Sequence, residues 1–504
     1  MLIAFITLIA FHNIHSQTTS DSSIVEISKQ LKGVVLDMDK KTALAYANIA
    51  VLHKNKGTVT NEKGQFTIDV TDLDENDTLS FLYIGYKNKN ITIAQLDSFS
   101  IIYLKEDIFN LSEVFVFAKN PDPKQIVKKV LEHKDANYKK KTNKSQIFIR
   151  KRNISDINNI KFTLKKSSFD LLNKKTLDFI EKKLPKHSTS YTDFLGYLYS
   201  TQNQDDSIAL KIDPLKIVSL KEKDLADFDQ LEANFEKIFA NTKEEEFWKV
   251  KSGIFSGKID LDDEDKKSKK DSLEKNYKNQ INLDYYSRRI DKELDYSLFK
   301  NKKEWEFLYQ TGKYNYTLAG GANVNGEDVY IIDFIPRRNG EFKGRAYISM
   351  NTFALIRADY EYAPGKIGRN VQLLGIGYTQ NHFKASIFFL KKNASYNLKY
   401  FSKETGNNSS VNRSFSLIKK KKRFLINKKL SEIKADIKLS IKSKVSFEML
   451  VLNQKEISLS QFANFKQKKR SKIIYVDQFS DNLWKGYSII EPTKQMRDYK
   501  KLKE

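Results

Sequence analysis

Residues 31–70 read LKGVVLDMDKKTALAYANIAVLHKNKGTVTNEKGQFTIDV, residues 71–107 continue TDLDENDTLSFLYIGYKNKNITIAQLDSFSIIYLKED, and residues 108–119 close with IFNLSEVFVFAK. Phe66, Ile68 and Val70 alternate with Thr67 and Asp69, and Leu79, Phe81 and Tyr83 alternate with Ser80 and Leu82. That is the two-residue period of half-buried strands. Between the strand at Thr58–Thr60 and that at Phe66–Val70 lies Asn61-Glu62-Lys63-Gly64, whose glycine can supply the positive φ of a tight turn, so a hairpin is expected. Strands recurring about every ten residues with turns between them predict two packed sheets over residues 28–118.

Outward on the C-terminal side, Asn120-Pro121-Asp122-Pro123 forbids an unbroken strand or helix and marks a boundary. Asp122 can cap a helix with Pro123 in its first turn, with Ile126, Val127, Val130 and Leu131 on one face, so residues 119–140 are expected to be a linker helix. On the N-terminal side, Leu2–Phe11 is an apolar run of about ten residues, suited to a signal-peptide core and too short to span a bilayer. A signal peptide over residues 1–17, and hence export, is expected.

Residues 141–300 read as a mixed α/β region. Ser145–Arg150 and Tyr191–Ser200 are strand-like, Phe169–Lys183 is a helical candidate, and residues 260–279 form a highly charged linker. Leu225, Phe228, Leu231, Phe235, Ile238 and Phe239 recur at helical spacing, which predicts a helix from Leu220 to about Trp248 with one buried stripe. From 301 to 490 strand follows strand. Tyr330, Ile332 and Phe334 alternate with Val329, Ile331 and Ile335; Pro336–Gly340 turns the chain into Phe342–Met350, and Thr352–Tyr362 returns. Val371–Tyr378, Ser386–Leu390, Ala394–Tyr400 and Ile437–Val445 extend this antiparallel sheet, which needs a helix or second layer on its buried face. The Leu225–Phe239 stripe is the best candidate for that cover. Residues 491–504 form a charged tail.

At 504 residues the chain is long enough for several domains, and its hydrophobic content of 40% exceeds that of a disordered polymer. It has no cysteine, which excludes disulfides, thiolate metal sites and a lipid anchor attached through cysteine. The net charge of +25 comes from lysines spread along the chain. Lys419–Arg423 is the densest basic run and reads as a solvated loop or strand end, so no nucleic-acid partner is expected.

No histidine is followed three residues later by glutamate. There is also no His-Glu-x-x-His, no Gly-x-Ser-x-Gly and no phosphate-binding loop. Asp262, Asp263, Glu264 and Asp265 lack the spacing of a calcium loop. Hence no catalytic residue, metal or cofactor is expected, and the chain is read as a non-enzyme. Tyr314, Tyr316, Tyr330 and Tyr347, near Arg345 and Arg357 on alternating faces of the sheet, are the candidate ligand groove.

The pattern GxVxD…AYANIAV…GTVTNEKGQFTI…LSFLYIGYK…LSEVFV resembles the carboxypeptidase regulatory-like domain, a transthyretin-like sandwich common in envelope proteins of the Bacteroidetes. The stretch VNGEDVYIIDFIPRRNGEFKGRAYISMNTFALIRADYEY and the ending DNLWKGYSIIEP resemble the C-terminal half of uncharacterised envelope proteins that begin with the same module. The expected fold is mainly β: an N-terminal transthyretin-like sandwich followed by a helix-containing, large antiparallel sheet domain. The expected role is a non-enzymatic, exported interaction or structural module in the periplasm or at the outer membrane. The alternative is a periplasmic carrier that holds a lipid, a lipoprotein acyl chain or another hydrophobic ligand in a curved C-terminal sheet; a hydrolase without a recognisable motif comes third. The expected partner is an envelope protein or lipid, with peripheral membrane contact, and the oligomeric state is left open.

Overall fold

The computed structural model describes residues 29–499 apart from 110–120, 203–206, 222–244, 260–278 and the single positions 55, 140, 171, 254, 325, 338 and 425. The signal segment, the Leu111–Phe117 stretch and most of the charged linker, 260–278, therefore lie outside the described residues. Seven strands, β1 (Gln30–Asp37), β2 (Asn48–Val51), β3 (Gly57–Val59), β4 (Gln65–Asp69), β5 (Thr78–Leu82), β6 (Lys89–Thr92) and β7 (Phe99–Leu104), divide into two sheets ordered β4-β1-β7 and β3-β2-β5-β6. Between them Leu31, Val35, Ile49, Phe66, Ile68, Leu79, Phe81 and Ile102 form a core of their own.

The Asn61–Gly64 turn is as tight as expected. Gly64 has φ +72°, and the Asn61 side chain accepts from the backbone N–H of Lys63 and Gln65 at 2.9 and 3.0 Å. Yet the strands that it joins are not a hairpin. β3 pairs with β2 and β4 pairs with β1, so the turn carries the chain from one sheet to the other. Turn chemistry sets local direction; which strand each flank pairs with is decided by which sheet can bury it.

After the sandwich come α1 (Pro123–Glu132) and α2 (Lys134–Asn137). Asp122 Oδ1 accepts from Lys124 N at 2.9 Å, and Ile126, Val127 and Val130 are buried, as the capping and periodicity predict. β8 (Asn143–Ser167), α3 (Lys174–Lys183), β9 (His187–Gln202), β10 (Ile208–Lys221), β11 (Glu246–Ser252), β12 (Phe255–Ile259), β13 (Gln280–Asn282), α4 (Leu283–Ser297) and α5 (Glu306–Tyr309) follow. The remaining strands are β14 (Tyr314–Val324), β15 (Glu327–Pro336), β16 (Phe342–Ser349), β17 (Leu355–Tyr362), β18 (Asn370–Leu373), β19 (Ile376–Lys392), β20 (Ser395–Lys421), β21 (Lys428–Glu456), β22 (Arg470–Lys472) and β23 (Ile474–Val476). Two short helices, α6 (Leu459–Asn464) and α7 (Lys494–Arg497), complete the described chain.

The β14-β15-β16-β17 meander is the one read from the sequence, and it opens a 14-stranded sheet ordered β14-β15-β16-β17-β19-β20-β21-β8-β9-β10-β23, with β18 paired to β19, β11 to β20 and β12 to β11 off this path. β8, β9 and β10 are thus central strands of the C-terminal sheet, so the division at residue 300 does not divide the fold. The expected strand Val371–Tyr378 is a hairpin, β18 to β19, turning at Leu374 and Gly375 with φ +48° and +78°.

Leu220 and Trp248, the ends of the expected long helix, lie in β10 and β11. The Leu225–Phe239 stripe lies outside the described residues. Other elements cover one face of the sheet: α1, α4 and the segment from Phe299 through α5. Asn282 caps α4 by accepting from Tyr285 N at 3.0 Å, and Leu283, Ile290 and Leu294 are its buried side. Trp305 sits at the centre, fully buried and ringed by Tyr296, Phe299, Phe307 and Tyr360 at 4.8–5.7 Å between ring centroids. The opposite face carries the sandwich and the C-terminal segment.

Candidate functional site

Strand register alone assembles the second face. Asp333, Arg345, Asp359, Ser386, Ser402, Glu448, Arg150 and Asp193 stand opposite one another on eight successive strands and so form one polar row across the sheet. Opposite charges meet within it. Arg345 is bidentate on Asp333 at 2.6 and 2.8 Å, and Arg150 is bidentate on Asp193 at 2.9 and 2.7 Å. Burial pushes the Asp193 carboxyl up, against the pull of Arg150, and it pushes Glu448 up as well.

The neighbouring row, Ile331, Tyr347, Arg357, Phe388, Tyr400, Leu450, Phe148 and Leu195, is where the rest of the molecule docks. Tyr46 of the sandwich stacks on Tyr400 at 5.0 Å. Arg357 lies over the Tyr83 ring at 4.5 Å and donates to Tyr83 OH and to the Ala45 carbonyl, each at 3.3 Å. Trp484 packs edge-on against Phe148 at 5.5 Å. From Trp484 onward the chain runs between sandwich and sheet. Thr58 Oγ1 donates to Ile489 O at 2.9 Å, Thr67 Oγ1 donates to the Glu491 carboxylate, and Arg150 Nη1 donates to Ile490 O at 2.8 Å.

On the other side of the ionic row the same face is open. There Asp156, His382, Gly406, Asn408, Lys442 and Lys444 line a cleft of about 270 Å³. Glu404 ties two of its lining residues together: it accepts from His382 Nε2 at 2.8 Å and pairs with Lys444, and also with Arg152, at 2.6 Å each. Burial works to raise this carboxyl, but the bonds from His382 and Lys444 and the charges of Lys444 and Arg152 outweigh it and bring it down to about 2. His187 Nδ1 meets Asp156 Oδ1 at 2.6 Å at the cleft edge. Gly406 stands between His382 and Lys444 in the register, and a Cβ there would come within 2.9 Å of His382 Cβ. Any side chain at 406 would therefore force the histidine or its strand to shift. An ionised carboxylate held by three cationic or donor groups is a poor proton shuttle; the surrounding lysines and amides are suited to holding polar or acidic groups.

The six residues expected to line a groove are brought to different places. Tyr314 is buried and donates to Glu306 Oε2 at 2.6 Å, Tyr316 donates to Phe307 O at 2.5 Å, and Tyr330 is buried with them beneath the helices. Arg345 is in the ionic row, while Tyr347 and Arg357 lie under the sandwich. They are core and docking residues in this fold, not the walls of one groove. His187, His382 and Glu404 were passed over in the sequence because no local spacing joins them; 22 residues of hairpin separate His382 from Glu404. Among the described residues no three histidine or carboxylate groups gather as a metal site.

Among solved structures, the chain is similar to MucB in complex with MucA(peri), at 8% identity over 70% of this chain and 99% of that one, with a TM-score of 0.17. It is also similar to the Pseudomonas aeruginosa MucA/MucB complex, at 7% identity over 67% and 100% with a TM-score of 0.17, and to a Rhodopseudomonas blastica porin mutant, at 7% over 60% and 99% with a TM-score of 0.11. Scores this low carry no argument about fold or role. No curated protein matches. The family model described as the CarboxypepD_reg-like domain matches residues 31–116, a stretch whose described residues fold as the two-sheet sandwich clamped to the large sheet. The N-terminal part of this chain is a carboxypeptidase regulatory-like domain.

Proposed function

We propose that the protein is a non-enzymatic interaction module of the bacterial envelope, exported to the periplasm or the outer membrane. In this reading the regulatory-like domain is a rigid part of the scaffold, and the open polar face beside it receives the partner. The observation that carries the reading is the contrast between the two faces. The helix-covered face is filled by Trp305, Phe307, Phe334, Phe342 and Tyr360, whereas the cleft around Glu404 is open and lined by charged and amide groups. A filled apolar interior favours a partner bound on the outside over the carrier alternative, in which a hydrophobic ligand would occupy that space.

The test is capture from envelope extract with the full chain as bait, followed by mass spectrometry of both proteins and lipids. The reading expects a partner that His382→Ala with Lys444→Ala loses. A bound acyl ligand recovered in equal amount from the wild type and this variant would promote the carrier instead. N-terminal sequencing of protein from the native host should begin near Gln17 or Thr18; intact Met1 on a cytoplasmic pool would reject export.

A further inference from the structure

Among the described residues, the most exposed large apolar side chains stand at the end of the longest hairpin. β20 and β21, of 27 and 29 residues, pair from Tyr400–Leu450 out to Lys421–Lys428. β8 accompanies them as far as Ser167 opposite Ile433, and β11 as far as Glu246 opposite Lys421. Beyond these, Phe424 and Ile426 are 101% and 82% exposed. Lower on the same strands Phe415, Leu417, Ile437 and Leu439 are all buried, so the exposure is confined to the tip end of this hairpin.

Within the tip sequence itself the charge is of one sign. Residues 419–430 hold seven lysines and arginines and no acidic residue. Lys422, Arg423 and Lys428 are exposed beside the two apolar side chains. Three of the seven pair with carboxylates at the base of the tip, Lys419 with Glu246 at 2.8 Å, Lys421 with Glu245 at 2.9 Å and Lys429 with Glu432; Lys420, Lys422, Arg423 and Lys428 take part in none of these pairs.

We infer that this hairpin tip docks on an anionic lipid bilayer, with Phe424 and Ile426 entering the headgroup–acyl boundary and Lys420, Lys422, Arg423 and Lys428 contacting lipid phosphates. Aromatic and aliphatic side chains gain by leaving water at that depth, and long basic side chains reach back to the charged surface. The basic residues lie on both strands around the apolar tip, not along one side, which fits a planar charged surface met end-on. The inference deepens the interaction role by naming a surface for it and rests on that reading for where such a membrane is met. Partner capture through the Glu404 cleft does not enter the assay below, so the two can fail separately.

The test uses the full chain with vesicles of phosphatidylcholine, with and without phosphatidylglycerol, read by sedimentation at low and high salt. Because the chain has no cysteine, Asn427→Cys carrying an environment-sensitive dye reports the tip alone. Binding to the anionic vesicles, a blue shift of the dye and loss of both at high salt are expected. Each tip charge changed to glutamine should lower partitioning roughly five-fold, and Phe424→Ser with Ile426→Ser should lower it about ten-fold or more, with the melting curve unchanged. Binding undiminished in that double variant, or vesicle binding without a dye shift, would overturn the inference. So would equal binding to a soluble anionic polysaccharide, because the apolar tip would then have no part in recognition.

Discussion

Arg357 touches two domains at once. Its guanidinium pairs with Asp359 on its own strand at 2.6 Å and covers Tyr83 of the sandwich, and its side chain is only 4% exposed. Truncation to alanine removes both contacts and leaves Asp359 with Ser386 alone at 2.5 Å. A loss of about 2–4 kcal/mol in urea unfolding is expected, with earlier proteolytic release of the sandwich; Arg357→Lys should recover little, since an ammonium cannot stack and fork as a guanidinium does. Glu404 supplies a pH test. Its folded-state pKa lies at about 2, below the ordinary glutamate value of about 4.3, so its contribution is present above that ordinary value and disappears as pH falls from about 4 through 2. Allowing for partial exposure, Glu404→Gln should cost about 1–2 kcal/mol at neutral pH and progressively less as pH falls below about 4, with only a small remainder near pH 2. A constant difference across that range in denaturation curves would show that the glutamine disturbs packing instead.

At the scale of elements, helix ends were legible because capping is a local matter: Asp122 with Pro123 announces α1, and the structure places the cap at Asp122. Asp122→Ala should therefore lower the melting curve by about 1 kcal/mol in stability. The cover of the sheet was not legible. The helical stripe at Leu225–Phe239 is the strongest in the sequence and lies outside the described residues, whereas the described cover is α1, α4 and the Phe299–Tyr309 segment. α4 does carry a helical spacing, Leu283, Tyr286, Ile290 and Leu294, that was not singled out; the Phe299–Tyr309 segment has none and is buried through three aromatic residues, Phe299, Trp305 and Phe307, that a short non-periodic stretch can still turn inward. Trp305→Ala should destabilise by about 3–5 kcal/mol as a large-to-small core change, whereas Lys302→Ala at the surface nearby should shift the curve by less than about 0.5 kcal/mol.

For the whole molecule, the sandwich has its own core, so residues 28–118 expressed alone should unfold cooperatively with a β-type circular dichroism signal. It should do so at lower temperature than within the full chain, because Thr58, Asn61 and Thr67 lose their bonds to the 489–491 segment. A fragment as stable as the docked domain would mean that this interface contributes little. The length of β20 and β21 carries their tip past the end of β8, with β11 beside β20 as far as Lys421.

What the amino-acid sequence determined by itself is whatever depends on neighbours within a few residues: the strand period, the Asn61–Gly64 turn, the Asp122 cap, the sandwich as a unit and its family. Tertiary structure decided the rest. It sent β3 and β4 to different sheets, drew β8–β10 into the C-terminal sheet, buried the Tyr314 group as core and set His382 beside Glu404. Each of those outcomes depends on register between strands far apart in the chain. A shift of one residue would turn every side chain to the other face, and no local pattern records which register holds.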